Sequence, residues 1–141
     1  MKKITIILST LSVLFCLISC SSVKEIPSDL SAPQMLQLGQ NAFASKNYKA
    51  AEKYYFATLQ KYGTNTITYI ETQYELAHLY NTTKQYKKAY NIYTEILQMY
   101  DYSFDLPGAY KKLCLIGLSN IPEEKLAQFQ NGSSSTVEEE E

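Results

Sequence analysis

The pattern of apolar and polar residues changes three times along the chain. Residues 4–18 form a mostly apolar run without a charged residue behind the two lysines at positions 2 and 3, and residues 20–30 are mostly polar. From residue 31 to about residue 130, apolar residues recur every three or four positions, which is typical of amphipathic α-helices. Residues 131–141 are polar and end in four glutamates. The pattern predicts a signal peptide at 1–19, a polar tether at 20–30, a helical domain at 31–130 and a disordered acidic tail at 131–141.

Six helices are predicted inside the periodic region from their start and stop signals. Ser31, followed by Pro33 and Gln34, is a good helix start, and Asn47 can cap a second helix that Gly63 ends. A third helix is expected at about 66–82 and a fourth at about 85–100. Asp105-Leu106-Pro107 opens a fifth helix, which passes through Leu113, Ile116 and Gly117 to about residue 121, and Pro122 opens a short sixth.

These helices contain an internal repeat. Tyr, Ala, Tyr and Leu follow Gly39 at distances of 9, 12, 16 and 20 residues, and the same residue types follow Ala77 at the same distances. Small residues that let paired helices approach, with aromatic residues between them, are typical of tetratricopeptide repeats. A helical bundle without repeats could match by chance, but four coinciding offsets make this improbable. The predicted fold is therefore all-α: a tetratricopeptide-like stack of two helical hairpins, closed by C-terminal capping helices around Gly117.

The apolar run at the N-terminus is followed by a lipidation motif. Leu17-Ile18-Ser19-Cys20 resembles the bacterial lipobox, in which the chain is cleaved before a cysteine that receives lipid. An ordinary cleaved signal or a short membrane anchor is the alternative. The resemblance implies that lipid on Cys20 attaches the chain to a membrane, with several acyl chains giving stable anchoring. Ser21 is not the Asp that retains many such lipoproteins at the inner membrane, which points to the outer membrane.

Composition and spacing argue against an enzyme. All 13 basic residues are lysines, and the net charge of −1 gives no reason to expect nucleic acid as a partner. His78 has no second ligand at metal spacing, and no Ser, Cys or Lys nucleophile has a nearby base. The sequence also has no Gly-rich phosphate-binding loop. We therefore expect neither catalysis nor a cofactor or metal. Cys114 is predicted to be a buried small apolar residue, and the glutamates of the helices are predicted to be solvated.

One helix face is the candidate binding site. His78, Tyr74 and Asn81 share helical spacing, and Leu36, Gln40 and Phe43 take the matching places one repeat earlier. Together they would form a mixed apolar and polar groove for an extended peptide or a partner helix. A surface or partly packed His78 is the alternative.

The order of these features resembles the outer-membrane β-barrel assembly lipoprotein family (BamD-like). The resemblance covers about residues 31–121 and is carried by Pro33 to Gly39, Asn47 to Ala51, the segment at Tyr62, Tyr110, and Gly117 to Asn120. It matches the N-terminal half of the family's usual length, and the family's barrel contacts lie largely in the later repeats. It implies a lipid-anchored outer-membrane protein, facing the periplasm, that contacts an Omp85-type barrel or unfolded outer-membrane proteins.

Three hypotheses follow. The first is an accessory subunit of outer-membrane β-barrel assembly that works by protein–protein contact. The second is a general envelope adaptor for a transporter or another cell-envelope partner, and the third is a carrier of a small molecule. The sequence leaves the oligomeric state, the role of the acidic tail and the identity of the partner open.

Overall fold

The computed structural model describes residues 26–103 and 105–134, and this part of the chain is all-helical. Helix bounds agree with the sequence prediction to within two residues, except that the fifth helix begins three residues after Asp105 and the sixth is longer than expected. The helices are α1 (Ala32–Ala44), α2 (Tyr48–Tyr62), α3 (Thr66–Thr82), α4 (Tyr86–Tyr102), α5 (Gly108–Ser119) and α6 (Glu123–Ser134).

Local chemistry sets the starts of the first three helices. The Ser31 backbone N–H donates to Gln34 Oε1 over 2.9 Å, as in a capping box. The Asn47 side chain accepts a hydrogen bond from the Ala50 backbone N–H, and Asn65 accepts one from Thr68. Each bond satisfies a donor that has no partner inside its helix.

The two helical hairpins turn in the same way. Lys46 between α1 and α2 has φ 59°, and Lys84 between α3 and α4 has φ 62°. After each of these residues the next backbone N–H reaches back over the turn, from Asn47 to the Ala42 carbonyl and from Gln85 to the Tyr80 carbonyl. This is the hydrogen bonding of a helix that ends on a left-handed residue. The two lysines are 38 residues apart, which is also the spacing of Gly39 and Ala77 in the sequence repeat. The turns between the paired helices therefore follow the same repeat.

The core consists of large rings set against small residues. Tyr55 and Tyr93, the aromatic residues of the two repeats, are both 0% exposed, and so are Ala51 and Ala89. A Cβ atom placed on Gly39 would lie 2.4 Å from Tyr55 Cε1. Of the remaining buried apolar positions, α3 contributes more than any other helix: Ile70, Leu76, Ala77, Leu79 and Tyr80.

The hairpins stack as a tetratricopeptide-like array. Helix α1 packs on α2, α2 on α3, α3 on α4 and α4 on α5, while α1, α3 and α5 lie next to one another in that order. We call the surface formed by these three helices the α1–α3–α5 face. It is the surface on which the predicted groove residues lie.

The last two helices cap the stack without forming a third hairpin. Helix α6 packs on α4, and within the described residues it has no packing contact with α5. Two apolar side chains of α5 therefore remain uncovered: Leu115 is 54% exposed and Ile116 is 47% exposed.

The two flanks of the domain are described only in part. Helix α6 continues to Ser134, so the first residues of the predicted disordered tail are helical, whereas residues 135–141 lie outside the described part. Residues 1–25, with the predicted signal peptide, Cys20 and most of the tether, also lie outside it. None of the described helices combines the length and apolar character needed to cross a membrane.

Candidate functional site

Four aromatic rings form a row across the α1–α3–α5 face. The Phe43 ring on α1 lies 5.0 Å from the His78 ring on α3, and His78 stacks on Tyr74 at 6.2 Å with 12° between the ring planes. Tyr74 in turn contacts Tyr110 on α5, at 5.6 Å. All four side chains are half-buried, so one edge of each remains accessible. Rings in this arrangement give a rigid apolar surface and lose little conformational entropy on binding.

The structure brings together five of the six residues that the sequence predicted for the groove. Gln40, Phe43, Tyr74, His78 and Asn81 are half-buried on this face. Leu36 differs: it is 5% exposed and belongs to the core beneath the face. Its carbon atoms support the face and are not available to a partner.

Two of these residues also hold the helices together. Gln40 Nε2 donates to Glu75 Oε1 over 2.8 Å, which joins α1 to α3. Asn81 Nδ2 donates to the Gly117 carbonyl oxygen over 3.0 Å, which joins α3 to the end of α5. The prediction of a surface or partly packed histidine also describes His78, which is half-buried between two rings.

Sequence reasoning missed three residues of this face. Tyr110 extends the aromatic row onto α5, and Glu71 and Glu75 place two carboxylates beside it. The glutamates were expected to be solvated, but both are half-buried and Glu75 accepts the hydrogen bond from Gln40. The signal was present, since positions 71, 74, 75 and 78 share one face of a helix. This pattern could not be assigned to the face without knowing that α5 packs beside α3.

Glu71 and Glu75 bring negative charge to the face. They are the acidic residues of α1 and α3, and neither of these helices has a lysine. The two lysines of α5 are both exposed. Burial raises the pKa of Tyr110, and the nearby negative charge of Glu71 raises it further. Burial and the charge of Glu75 raise the pKa of Tyr74 in the same way. A cationic side chain or a backbone N–H of a partner would find acceptors here.

Cys114 lies behind the aromatic row on α5. Its side chain is 0% exposed, as the sequence predicted, and burial raises the pKa of the thiol to about 12. Because the thiolate is the reactive form, the folded protein should be nearly inert to alkylating agents at neutral pH.

We expect Cys114 to react with iodoacetamide at pH 8 about 1,000-fold more slowly in the folded protein than in urea, since a pKa raised from 9.0 to about 12 lowers the thiolate fraction by that factor. Peptide mass spectrometry after timed quenching would measure this at Cys114 alone. Similar rates with and without urea would contradict the buried thiol.

Within residues 26–103 and 105–134 there is no group of three His, Cys, Asp or Glu side chains that could hold a metal ion. The side chains of the aromatic row and its neighbours on the α1–α3–α5 face are rings, amides and carboxylates, and these groups suit non-covalent binding.

Comparison with known proteins gives a limited result. The chain is 31% identical over 112 residues to an uncharacterised protein of Treponema pallidum (strain Nichols). This match covers 76% of the chain and 45% of the relative, so the chain spans just under half the length of that relative. No protein-family model and no solved structure matches the chain.

Proposed function

We propose that this chain is a lipid-anchored scaffold whose α1–α3–α5 face binds a segment of a partner protein, and that it serves outer-membrane β-barrel assembly as an accessory subunit. The observation that carries the binding role is the row of four half-buried rings with Glu71 and Glu75 beside it. The resemblance to BamD-like lipoproteins supports the assembly role.

The face suits an extended segment with alternating side chains. Outer-membrane β-strands alternate apolar and polar residues and carry aromatic girdles. Apolar side chains of such a segment would pack on the edges of Phe43, Tyr74 and Tyr110, while its backbone N–H groups or lysines would reach Glu71 and Glu75. His78, at the centre of the row, would contact both kinds of group.

The N-terminal end of the domain supports anchoring by a tether. Lys61 Nζ donates to the carbonyl oxygens of Ser28 and Leu30, and the Tyr62 hydroxyl donates to the same Leu30 carbonyl over 2.6 Å. These bonds hold the chain against the end of α2 just before α1 begins. From Cys20 to Ser28 the chain can extend by about 27 Å, which would leave the face free to meet a partner near a membrane.

A photo-crosslinking experiment tests the proposed partner. A photoreactive residue would replace His78 in the full-length protein in its own cells, and Tyr102, which is 89% exposed on α4 and lies off the face, would be the matched control. We expect adducts with an Omp85-type barrel or with unfolded outer-membrane proteins at position 78, at least about tenfold more abundant than at position 102. Adducts with a different envelope protein would support the general adaptor instead. Equal labelling at both positions would contradict a binding face.

Membrane attachment needs a separate control. Replacing residues 1–20 with a signal peptide that is cleaved without lipidation should release the protein from the membrane fraction if lipid on Cys20 is the anchor. A chain that stays membrane-bound at high salt after this replacement would contradict the anchoring part of the proposal and leave the binding face untouched.

A further inference from the structure

Four lysines surround a pocket on the opposite side of the hairpin stack from α1. The pocket has a volume of about 380 Å³ and lies where the turn before α4 meets the first half of α6. We call it the lysine pocket. The four lysines are Lys84, Lys87, Lys88 and Lys125, and Gln85 and Phe129 also line the pocket.

Two of the four ammonium groups lie over aromatic rings. Lys87 Nζ lies 5.3 Å from the centre of the Tyr90 ring and 4.8 Å from that of Phe129, and Lys88 Nζ lies 4.7 Å from that of Tyr80. Within the described residues, none of the four lysines of the pocket has a carboxylate within ion-pair distance. Their positive charge is therefore available to an anion.

The backbone adds to this charge. Helix α4 begins in the pocket, and its N-cap residue Gln85 makes no side-chain capping hydrogen bond. The Lys88 N–H donates to the Gln85 carbonyl, whereas the N–H groups of Tyr86 and Lys87 lie at the start of the helix without a side-chain cap, where the helix dipole is positive. The pocket thus combines side-chain cations with the positive end of a helix.

We propose that the acidic segment Glu138–Glu141 of the same chain binds in the lysine pocket. Four carboxylates match four ammonium groups, and carboxylates at a helix N-terminus bind favourably. The pocket lies on the helix that leads to this segment, since Lys125 and Phe129 belong to α6 and the described chain ends at Ser134.

The distances allow the tail to return. Lys125 and Ser134 are nine residues apart on α6, which is about 13 Å along the helix. The seven residues after Ser134 can extend by about 23 Å, enough to run back along α6 to the pocket. Because the pairs are solvent-exposed, the closed arrangement should depend on salt and on the high effective concentration of a tethered ligand. An acidic segment of another protein would have to displace the tail.

Zero-length carboxyl–amine crosslinking of the dilute full-length protein tests the proposal. Tryptic peptides would show which lysines join Glu138–Glu141. We expect crosslinks to Lys84, Lys87, Lys88 and Lys125 at least about tenfold more often than to Lys111 and Lys112, an exposed pair on α5 that serves as the control, and a marked loss in 0.5 M NaCl. In the triple variant Lys84→Gln/Lys87→Gln/Lys88→Gln, Lys125 is the one lysine of the pocket that can still react, and its crosslink to the tail should also be lost. The variant Lys111→Gln/Lys112→Gln should keep the Lys125 crosslink.

Three results would overturn it. Crosslinks spread evenly over all lysines would show that the tail has no preferred site. A mixture of isotopically light and heavy protein distinguishes crosslinks within one molecule from crosslinks between two. If every crosslink joins a light copy to a heavy copy, the tail binds the pocket of a second molecule. If the lysines of the pocket are protected from acetylation by phosphatidylglycerol vesicles, but equally reactive with and without the tail, the pocket binds a lipid surface instead.

Discussion

Gly117→Ala and Gly39→Ala should each destabilise the domain by about 2 kcal/mol, although alanine is the better helix former. A Cβ atom on Gly117 would lie 2.3 Å from Tyr93 Cζ, and one on Gly39 would lie 2.4 Å from Tyr55 Cε1. Both rings are 0% exposed, so neither can move into solvent to relieve the overlap. The helices would have to separate, which loses packing on both sides of the ring.

Gly108→Ala is the matched control for these substitutions. Gly108 is also helical, at the start of α5, but a Cβ atom there would meet nothing within 4 Å. This variant should gain up to about 1 kcal/mol from helix propensity. Urea unfolding followed by circular dichroism would measure all three free energies of unfolding.

A second substitution separates packing from backbone effects. In the background Tyr93→Leu, which removes the ring, Gly117→Ala should cost much less than in the wild-type protein, whereas Gly39→Ala should cost the same. If Gly117→Ala and Gly39→Ala are as stable as the wild-type protein, the close ring contacts are not what holds these helices together.

The repeat in the sequence predicted most of the fold because it is set by packing. Gly39, Tyr55, Ala77 and Tyr93 occupy equivalent places in the two hairpins, and their residue types are those that a close helix pair requires. The start of α2 was equally predictable, since Asn47 acts on a backbone group only three residues away.

The other features depend on which helix lies next to which. The left-handed turn residues are lysines, a residue type with no special preference for positive φ, so the turns had no local signal. The packing of α6 on α4 leaves Ile116 exposed, which the periodicity of α5 could not indicate. Glu71 and Glu75 became part of the candidate site only through their neighbours, Gln40 on α1 and Tyr110 on α5.

Raising the pH above 10 should unfold this domain sharply. The chain has 13 tyrosines, and three of them are almost completely buried: Tyr55 and Tyr93 are 0% exposed and Tyr80 is 4% exposed. Burial raises the pKa of all three well above the ordinary value of 10.0, with a further contribution from the charge of Glu75 at Tyr55 and from the hydrogen bond to Glu52 at Tyr80. In the unfolded chain the same hydroxyl groups ionise near pH 10.

The direction of the effect follows from proton binding. Between pH 10 and the raised pKa values, the folded protein keeps protons that the unfolded chain releases, so the free energy of unfolding falls as the pH rises. The tyrosines contribute fully to stability below pH 10. Above pH 10, each of the three buried tyrosines lowers the free energy of unfolding by up to about 1.4 kcal/mol per pH unit. The three together lower it by about 4 kcal/mol per pH unit. A small domain with a stability of about 5–10 kcal/mol would then unfold within one to three pH units.

Absorbance at 295 nm and helical circular dichroism, followed together from pH 8 to 13, would measure this. We expect the last tyrosines to ionise only as the helical signal is lost. Tyr55→Phe is the decisive comparison, because the Tyr55 hydroxyl is buried without a hydrogen-bond partner in the described structure. Its removal should leave the stability at pH 7 unchanged or higher, yet reduce the slope above pH 10 by about one third. Full ionisation of all tyrosines near pH 10 with the helices intact would show that these rings are reached by solvent, and would contradict the packing on which the α1–α3–α5 face depends.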